Sequence, residues 1–325
     1  MPALMGSSPH GSLPVRRVTM TARPSGDLAG WEDTVSITTH RSARPGLGRV
    51  ARFRLDVGEW LVLREALCAE APGRTTPASF DPVAFGLPAT GALGADERHR
   101  AVDMLYQRKL VLGTEVRLHP AVLLGLRLLL EPQVRIEVSS WSGSTALTQA
   151  VAWGAGRTTA LARRCRATSA HGADVAEQEG AVELTLCGGG GLIDEVMRAL
   201  PPGPPAAVPG EAVEVGWRES AAVVHALRTG RADVAAHLSG LPDRALELLG
   251  AASRLTGGAS IIGATGHPRV GTLGFHGVWL WTENDLIELV GATSDSVTLR
   301  RSTAARLRRS LLAAVTGLLH PAGAA

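Results

Sequence analysis

Lysine is nearly absent from this sequence. Lys109 is the single copy, and arginine carries the rest of the positive charge. With 33 basic against 30 acidic residues the formal net charge is only +3, too little for a chain-wide field that captures nucleic acid. The arginine bias, with abundant alanine and glycine, points to a GC-rich genome. Two arginine patches remain: Arg41, Arg44, Arg49, Arg52 and Arg54 near the start, and Arg300, Arg301, Arg306, Arg308 and Arg309 near the end. Both read as solvated faces, with binding of an acidic surface or nucleic acid as the alternative. Cysteine is scarce too. Cys68, Cys165 and Cys187 are far apart and form no CxxC pair, so they read as small buried apolar residues in a reducing cytosol. No apolar run reaches the roughly 18 residues of a membrane-spanning helix, and the N-terminus has no secretory-signal pattern.

The markers of chemistry are missing as well. His119, His171, His225, His237, His267 and His276 are scattered, with no HxH, HxxxH or HExxH pair to share a metal. No GxSxG elbow occurs. The serines of "SWSGS" (140–144) fit a hairpin tip. Cys187 precedes a helix but has no partner base. No convergent acid–base set follows, so neither catalysis nor a metal or cofactor is expected.

Tryptophan is present in excess, seven copies against one tyrosine and four phenylalanines. Trp141, Trp153, Trp279 and Trp281 fall on expected strands, and Trp279 and Trp281 share one face because side chains alternate along a strand. Core packing explains such residues. A partner-binding face explains them too, since tryptophan is enriched at interface hot spots. Trp153, Trp279 and Trp281 are the candidate partner-binding residues.

Residues 1–50 lack periodicity and read as a disordered leader. Residues 68–95 are a proline- and glycine-rich loop, and "PPGPPAAVPG" (201–210) is a proline linker. The linker separates two halves, 51–205 and 206–325, expected to form one compact domain. The halves resemble each other. A shift of 160 places Phe53, Leu55 and Val57 over Val213, Val215 and Trp217, and Glu59 over Glu219. Each half opens with a strand running into a helix. Helical patterns follow, then strands: 134–141, 147–156 and 157–165 in the first half, 258–266, 270–281 and 285–290 in the second. Each half closes on one more strand and a helix. A shift of 115 superposes these endings, Leu184 on Leu299 and Val196 on Leu311.

That second shift also decides the meaning of "CGGGG" (187–191). A glycine-rich turn from strand to helix can cradle phosphate, but a P-loop needs Gly-Lys-Ser/Thr, and here Leu192 and Ile193 follow. The matching turn of the second half has no glycine. The run therefore reads as a connector that uses glycine's backbone freedom.

The order of elements resembles the EspG family, cytosolic chaperones of type VII (ESX) secretion in actinobacteria. The stretches that carry the likeness are "FRLDVGEWLVLREAL", "QRKLVLGTEVRLHPAVLLGLRLLLEPQVRIEV", "AVELTLCGGGGLIDEVMRALPPGPP" and "SVTLRRSTAARLRRSLLAAV", within residues 50–320. The short hairpin after "RIEVSSW" and the arginine-rich leader depart from the family pattern. The resemblance implies an α+β fold of two pseudo-two-fold halves, with a central antiparallel sheet flanked by helical bundles. It implies a cytoplasmic, non-enzymatic chaperone that keeps a helical secretion substrate soluble, a PE–PPE-like or WXG-like heterodimer.

Two other readings compete. An enzyme would need a polar pocket with converging titratable groups. A winged-helix nucleic-acid binder could use "DMLYQRKLVLGTEVRLHPAVLLGLRLL", with Arg108 and Lys109 towards DNA. Its supposed recognition helix is almost wholly apolar, which suits a core and not a base edge. On the chaperone reading, replacing Trp279 and Trp281 with alanine is expected to abolish partner capture in a pull-down while the melting transition stays in place.

Overall fold

A computed structural model of the chain describes residues 50–70, 93–113, 115–167, 175–204, 208–267 and 271–320. The proposed leader (save Val50), most of the 68–95 loop, Pro205–Ala207 of the linker, and His171 lie outside the described residues.

The first half runs β1 (Val50–Asp56), α1 (Val57–Glu70), α2 (Ala95–Gln107), the small hairpin β2 (Val111–Leu112) and β3 (Arg117–Leu118), and α3 (Pro120–Leu130). Four strands follow, β4 (Val134–Ser142), β5 (Thr145–Gly154), β6 (Arg157–Ala167) and β7 (Val175–Gly188), then α4 (Leu192–Arg198). The second half runs β8 (Ala212–Gly216), α5 (Trp217–Arg228), α6 (Ala232–Ser239) and α7 (Asp243–Ala252). It ends with β9 (Leu255–His267), β10 (Gly271–Thr282), β11 (Leu286–Ala292), β12 (Ser296–Ser302) and α8 (Ala304–Leu319). Among the described residues the β2–β3 hairpin has no counterpart in the second half.

Ten strands form one antiparallel sheet in the order β1-β7-β6-β5-β4-β9-β10-β11-β12-β8. The order reads the same from either edge once the halves are matched strand for strand. The registers repeat as well. Phe53 pairs with Leu184 and Leu55 with Val182, while Val213 pairs with Leu299 and Val215 with Val297. These are the residues that the shifts of 160 and 115 superpose. Carried inward through the registers, the same shifts match Trp153, paired with Val134 and Thr158, to Trp281, paired with Gly257 and Leu286. At the centre they match Val138 to Ile261, which are each other's partners across β4 and β9. The pseudo-two-fold axis crosses the sheet there. The fold is α+β with two pseudo-equivalent halves.

An axis perpendicular to a sheet keeps equivalent elements on the same face. Helices α1–α3 cover Phe53, Leu55, Leu161 and Leu184 on one end of that face. Helices α5–α7 cover Val215, Ile287, Val297 and Leu299 on the other end of the same face. Helices α4 and α8 lie on the opposite face, over Val138, Val151, Ile261, Trp279 and Trp281. Helix α3, which the winged-helix reading would send into a DNA groove, buries Val122, Gly125, Leu126, Leu128 and Leu129.

The turns follow the residues present. The β4–β5 hairpin turns at Gly143 (φ 55°), and β5–β6 turns at Ala155 and Gly156 (φ 48° and 71°), a pair of positive φ angles as a two-residue hairpin requires. The glycine run behaves differently from the expectation. Gly188 (φ −68°) and Gly191 (φ −82°) hold angles any residue adopts. Space is what Gly191 supplies: a Cβ there would stand 2.5 Å from Cys187 Sγ. The run is a close-packed corner between β7 and α4.

The first helix of each half starts at the same place but is capped differently. Asp56 and Glu59 cap α1 reciprocally: Glu59 N–H donates to Asp56 Oδ1 and Asp56 N–H to Glu59 Oε2, both at 2.8 Å. Arg108 donates to Glu59 Oε2 at 3.1 Å and to the Arg54 carbonyl at 2.7 Å. In the second half Gly216 stands at the place of Asp56, and Glu219 is exposed. Burial raises the Glu59 carboxyl above its ordinary range, against the opposing pull of its backbone hydrogen bond and of Arg108. A raised folded-state value means the native chain holds this proton more tightly. Its contribution to stability is complete below the ordinary carboxylate range and declines as pH rises through the folded value. Urea melts across pH 4 to 7 should therefore show wild type losing stability relative to Glu59→Gln as pH rises.

Candidate partner-docking surface

Both helical bundles sit at the ends of one sheet face, so its centre is left uncovered. Helix α3 packs on β5 and β6, and α7 on β8, β10 and β12. Between them β4 and β9 form the floor of a trough, with parts of β5 and β10 at its sides. Strand registers lay the floor out in rows. One row is Ala150, Glu137, Ile262 and His276. The next is Thr148, Ser139, Ser260 and Val278. The rows beyond are Ala152, Arg135, Ala264 and Gly274 on one side, and Ala146, Trp141, Gly258 and Leu280 on the other.

Ile262 is 49% exposed at the centre of this floor, an isoleucine that points away from the core its neighbour Ile261 fills. Glu137, Ser139 and His276 are exposed, and Trp141 is half-buried. Arg135 pairs with Glu137 along β4. Ser260 Oγ and His276 Nε2 lie 2.9 Å apart. The Trp141 ring lies over Gly258, where a Cβ would come within 2.6 Å of its Nε1. Small residues thus keep the floor low, and Ile262 rises from it. The surface offers shape and an apolar contact. Among the described residues no three His, Cys, Asp or Glu side chains converge as metal ligands.

The sequence-based candidates lie elsewhere. Trp279 and Trp281 are 4% and 3% exposed, on the opposite face beneath α8 with Leu286, Leu307 and Leu311. Trp153, half-buried, packs against the same cluster. The expectation that Trp279 and Trp281 form a partner-facing surface is corrected: face-sharing was right, but the face is the one that α8 covers. A Cβ at Gly277 would run into the Trp279 ring, so the ring lies flat along its own strand. Ile262 was missed as a candidate site residue. Its signal is present in "GASIIGATG", where two adjacent isoleucines must point to opposite faces, one of them outward.

The C-terminal arginine patch is engaged within the protein. Arg300 pairs with Glu288 at 2.8 Å, Arg301 with Asp285 at 3.2 Å, and Arg308 with Asp194 on α4 at 2.5 Å. Arg52, from the first patch, pairs with the buried Glu195 of α4 at 2.5 Å. Arg198 bridges Glu195 and Glu183, and these two carboxylates outweigh burial and raise its pKa. Arg41, Arg44 and Arg49 lie outside the described residues. Burial, the larger cause, and Glu195 push the Cys187 thiol up to about 12, so it stays protonated and is no nucleophile.

Comparison with known proteins adds the lineage. The model of the EspG family matches residues 68–281. The chain belongs to the EspG family. No curated protein matches it. Among solved structures, this EspG-family chain is similar to the Mycobacterium tuberculosis type VII secretion system chaperone EspG5, solved in complex with a PE25–PPE41 dimer. The TM-score is 0.53 at 11% identity, over 83% of this chain and 98% of that one. At that identity the likeness is one of fold. It extends over both halves, in keeping with the single sheet that joins them.

The burial of the tryptophans has a measurable consequence. Trp281→Ala should cost about 3–5 kcal/mol in chemical denaturation, the usual range for emptying an aromatic site in a core. A loss under about 1 kcal/mol would mean the ring is not packed beneath α8.

Proposed function

We propose that this EspG-family protein is a non-enzymatic, cytoplasmic chaperone of type VII secretion. It binds a helical substrate of the PE–PPE type through the trough and keeps it soluble until export, its two halves acting as one unit. The observation that carries the reading is an uncovered sheet centre with Ile262 exposed on it, in a chain of the EspG family. The solved EspG5 chaperone, complexed with a PE–PPE pair, supports the choice of partner. No helix of the described residues is long and apolar enough to cross a membrane.

Physically the task is masking. A helical protein with an apolar tip gains on the order of 25 cal/mol for each Å² of apolar surface covered, before the costs of association. A trough floored by β4 and β9, with α3 on β5 at one side and α7 on β10 at the other, admits one such tip between the bundles. Its floor is rigid, because every floor strand is paired on both sides. Little ordering is then left for binding to offset.

The test is Ile262→Arg. The substitution lies on an exposed side chain, so the melting transition should stay within the range of ordinary surface changes, about ±0.5 kcal/mol. Affinity for a co-expressed PE–PPE-type heterodimer of the same organism should fall about thirtyfold or more, as for a hot-spot residue. Unchanged capture by the folded variant would remove the trough from the mechanism.

A further inference from the structure

The pseudo-two-fold axis that builds the trough exchanges its two central rows. It carries Glu137 to Ser260, Ser139 to Ile262, and Thr148 to His276. On the opposite face the same operation exchanges Val138 with Ile261 and Trp153 with Trp281, and where residues differ there, as Trp279 and Val151 do, both stay apolar and buried. The backbone of the floor is symmetric while its chemistry is not. One row holds a carboxylate, an isoleucine and an imidazole. Its image holds two serines, a threonine and a valine.

Each polar group of the first row keeps a free position. Glu137 Oε1 meets Arg135, and Oε2 has no partner among the described residues. His276 Nε2 meets Ser260, and Nδ1 has none among the described residues. Both flank Ile262, one strand to either side, about 4.8 Å per step. The image row offers no charge, and the side chain at the place of Ile262 is Ser139.

We propose that the row Glu137–Ile262–His276 determines which partner the trough accepts and in which orientation. The fitting partner is a helical tip that sets one apolar side chain on Ile262. It places a hydrogen-bond donor, best a basic side chain, against Glu137 on one side and a polar group against His276 on the other. Turned by half a revolution, the same tip would lay its apolar side chain on Ser139 and its donor on the Ser260 hydroxyl. The trough therefore holds one partner in one orientation, although its frame would accept two. This inference rests on the trough being the docking surface.

The experiment compares the two rows in the full chain, co-expressed with a PE–PPE-type heterodimer of the same organism. Glu137→Ser and His276→Thr give the first row the residues of its image, and Ser139→Ala and Thr148→Ala alter the image row. All four positions are exposed, and equal melting temperatures confirm the fold. Affinity should fall about tenfold for each change in the first row, the size of one lost charge-assisted or buried hydrogen bond. It should stay within about twofold for the image row. A photo-crosslinker at position 137 should mark one site on the partner, and one at position 260 a different site. If the two rows respond equally, or both positions mark the same partner site, the proposal is overturned. Ile262→Arg separates this failure from failure of the docking reading. Loss of capture there with equal rows removes only the specificity assignment; retained capture removes both.

Discussion

The pairing of β4 with β9 is the constraint on which the molecule depends. Eight residues of β4, Arg135 to Ser142, face eight of β9 in unbroken antiparallel register. Without it each half would be a five-stranded sheet with an exposed inner edge, open to association with any other strand. With it, Val138 and Ile261 meet on the axis and the core beneath α4 and α8 becomes common to both halves. Helix α8 packs on β4 as well as on β9 and β10, so it spans the seam. The Asp194–Arg308 pair ties α4 to α8 across the same line.

Equivalent places in the two halves are filled by different combinations of volume. On β10, Trp279 lies over Gly277; at the matching places on β5 stand Val151 and Gln149. One half uses a large ring above an empty position, and the other divides the space between two side chains of middle size. Gly263 beneath Phe275 follows the same logic as Gly277. Cores accept such exchanges when total volume is kept. Gly191 against Cys187 shows it at a corner, where the missing side chain is what lets β7 turn closely into α4.

This exchange explains what could be read from the sequence and what could not. The outer strands and their helices repeat as apolar patterns with few volume swaps, so the shifts of 160 and 115 were visible, and the pairings of β1 with β7 and of β8 with β12 agree with both. The inner strands trade tryptophan for valine and glycine for glutamine, so their equivalence shows only through the registers. Periodicity placed Trp279 and Trp281 on one face correctly. It could not say which face α8 would cover, because that depends on how two distant segments pack. The trough was invisible for a related reason: it is a place no helix reaches, and the absence of cover is a property of topology.

That absence is a consequence of duplication. Each half connects its edge strand to its inner strands through three helices, and those helices must cover the strands near their own edge. A two-fold axis normal to the sheet puts both sets on one face, at opposite ends. The centre of that face is then the one region neither set reaches, while the other face receives α4 and α8 and closes over Trp153, Trp279 and Trp281. Nothing about stability asks for Ile262 to stand in the opening; serine occupies the matching place at Ser139, and the sheet is equally continuous there. The two faces of β9 thus answer to different demands. Ile261 is buried where β4 and β9 meet, paired with Val138, and Ile262 stands exposed in the trough.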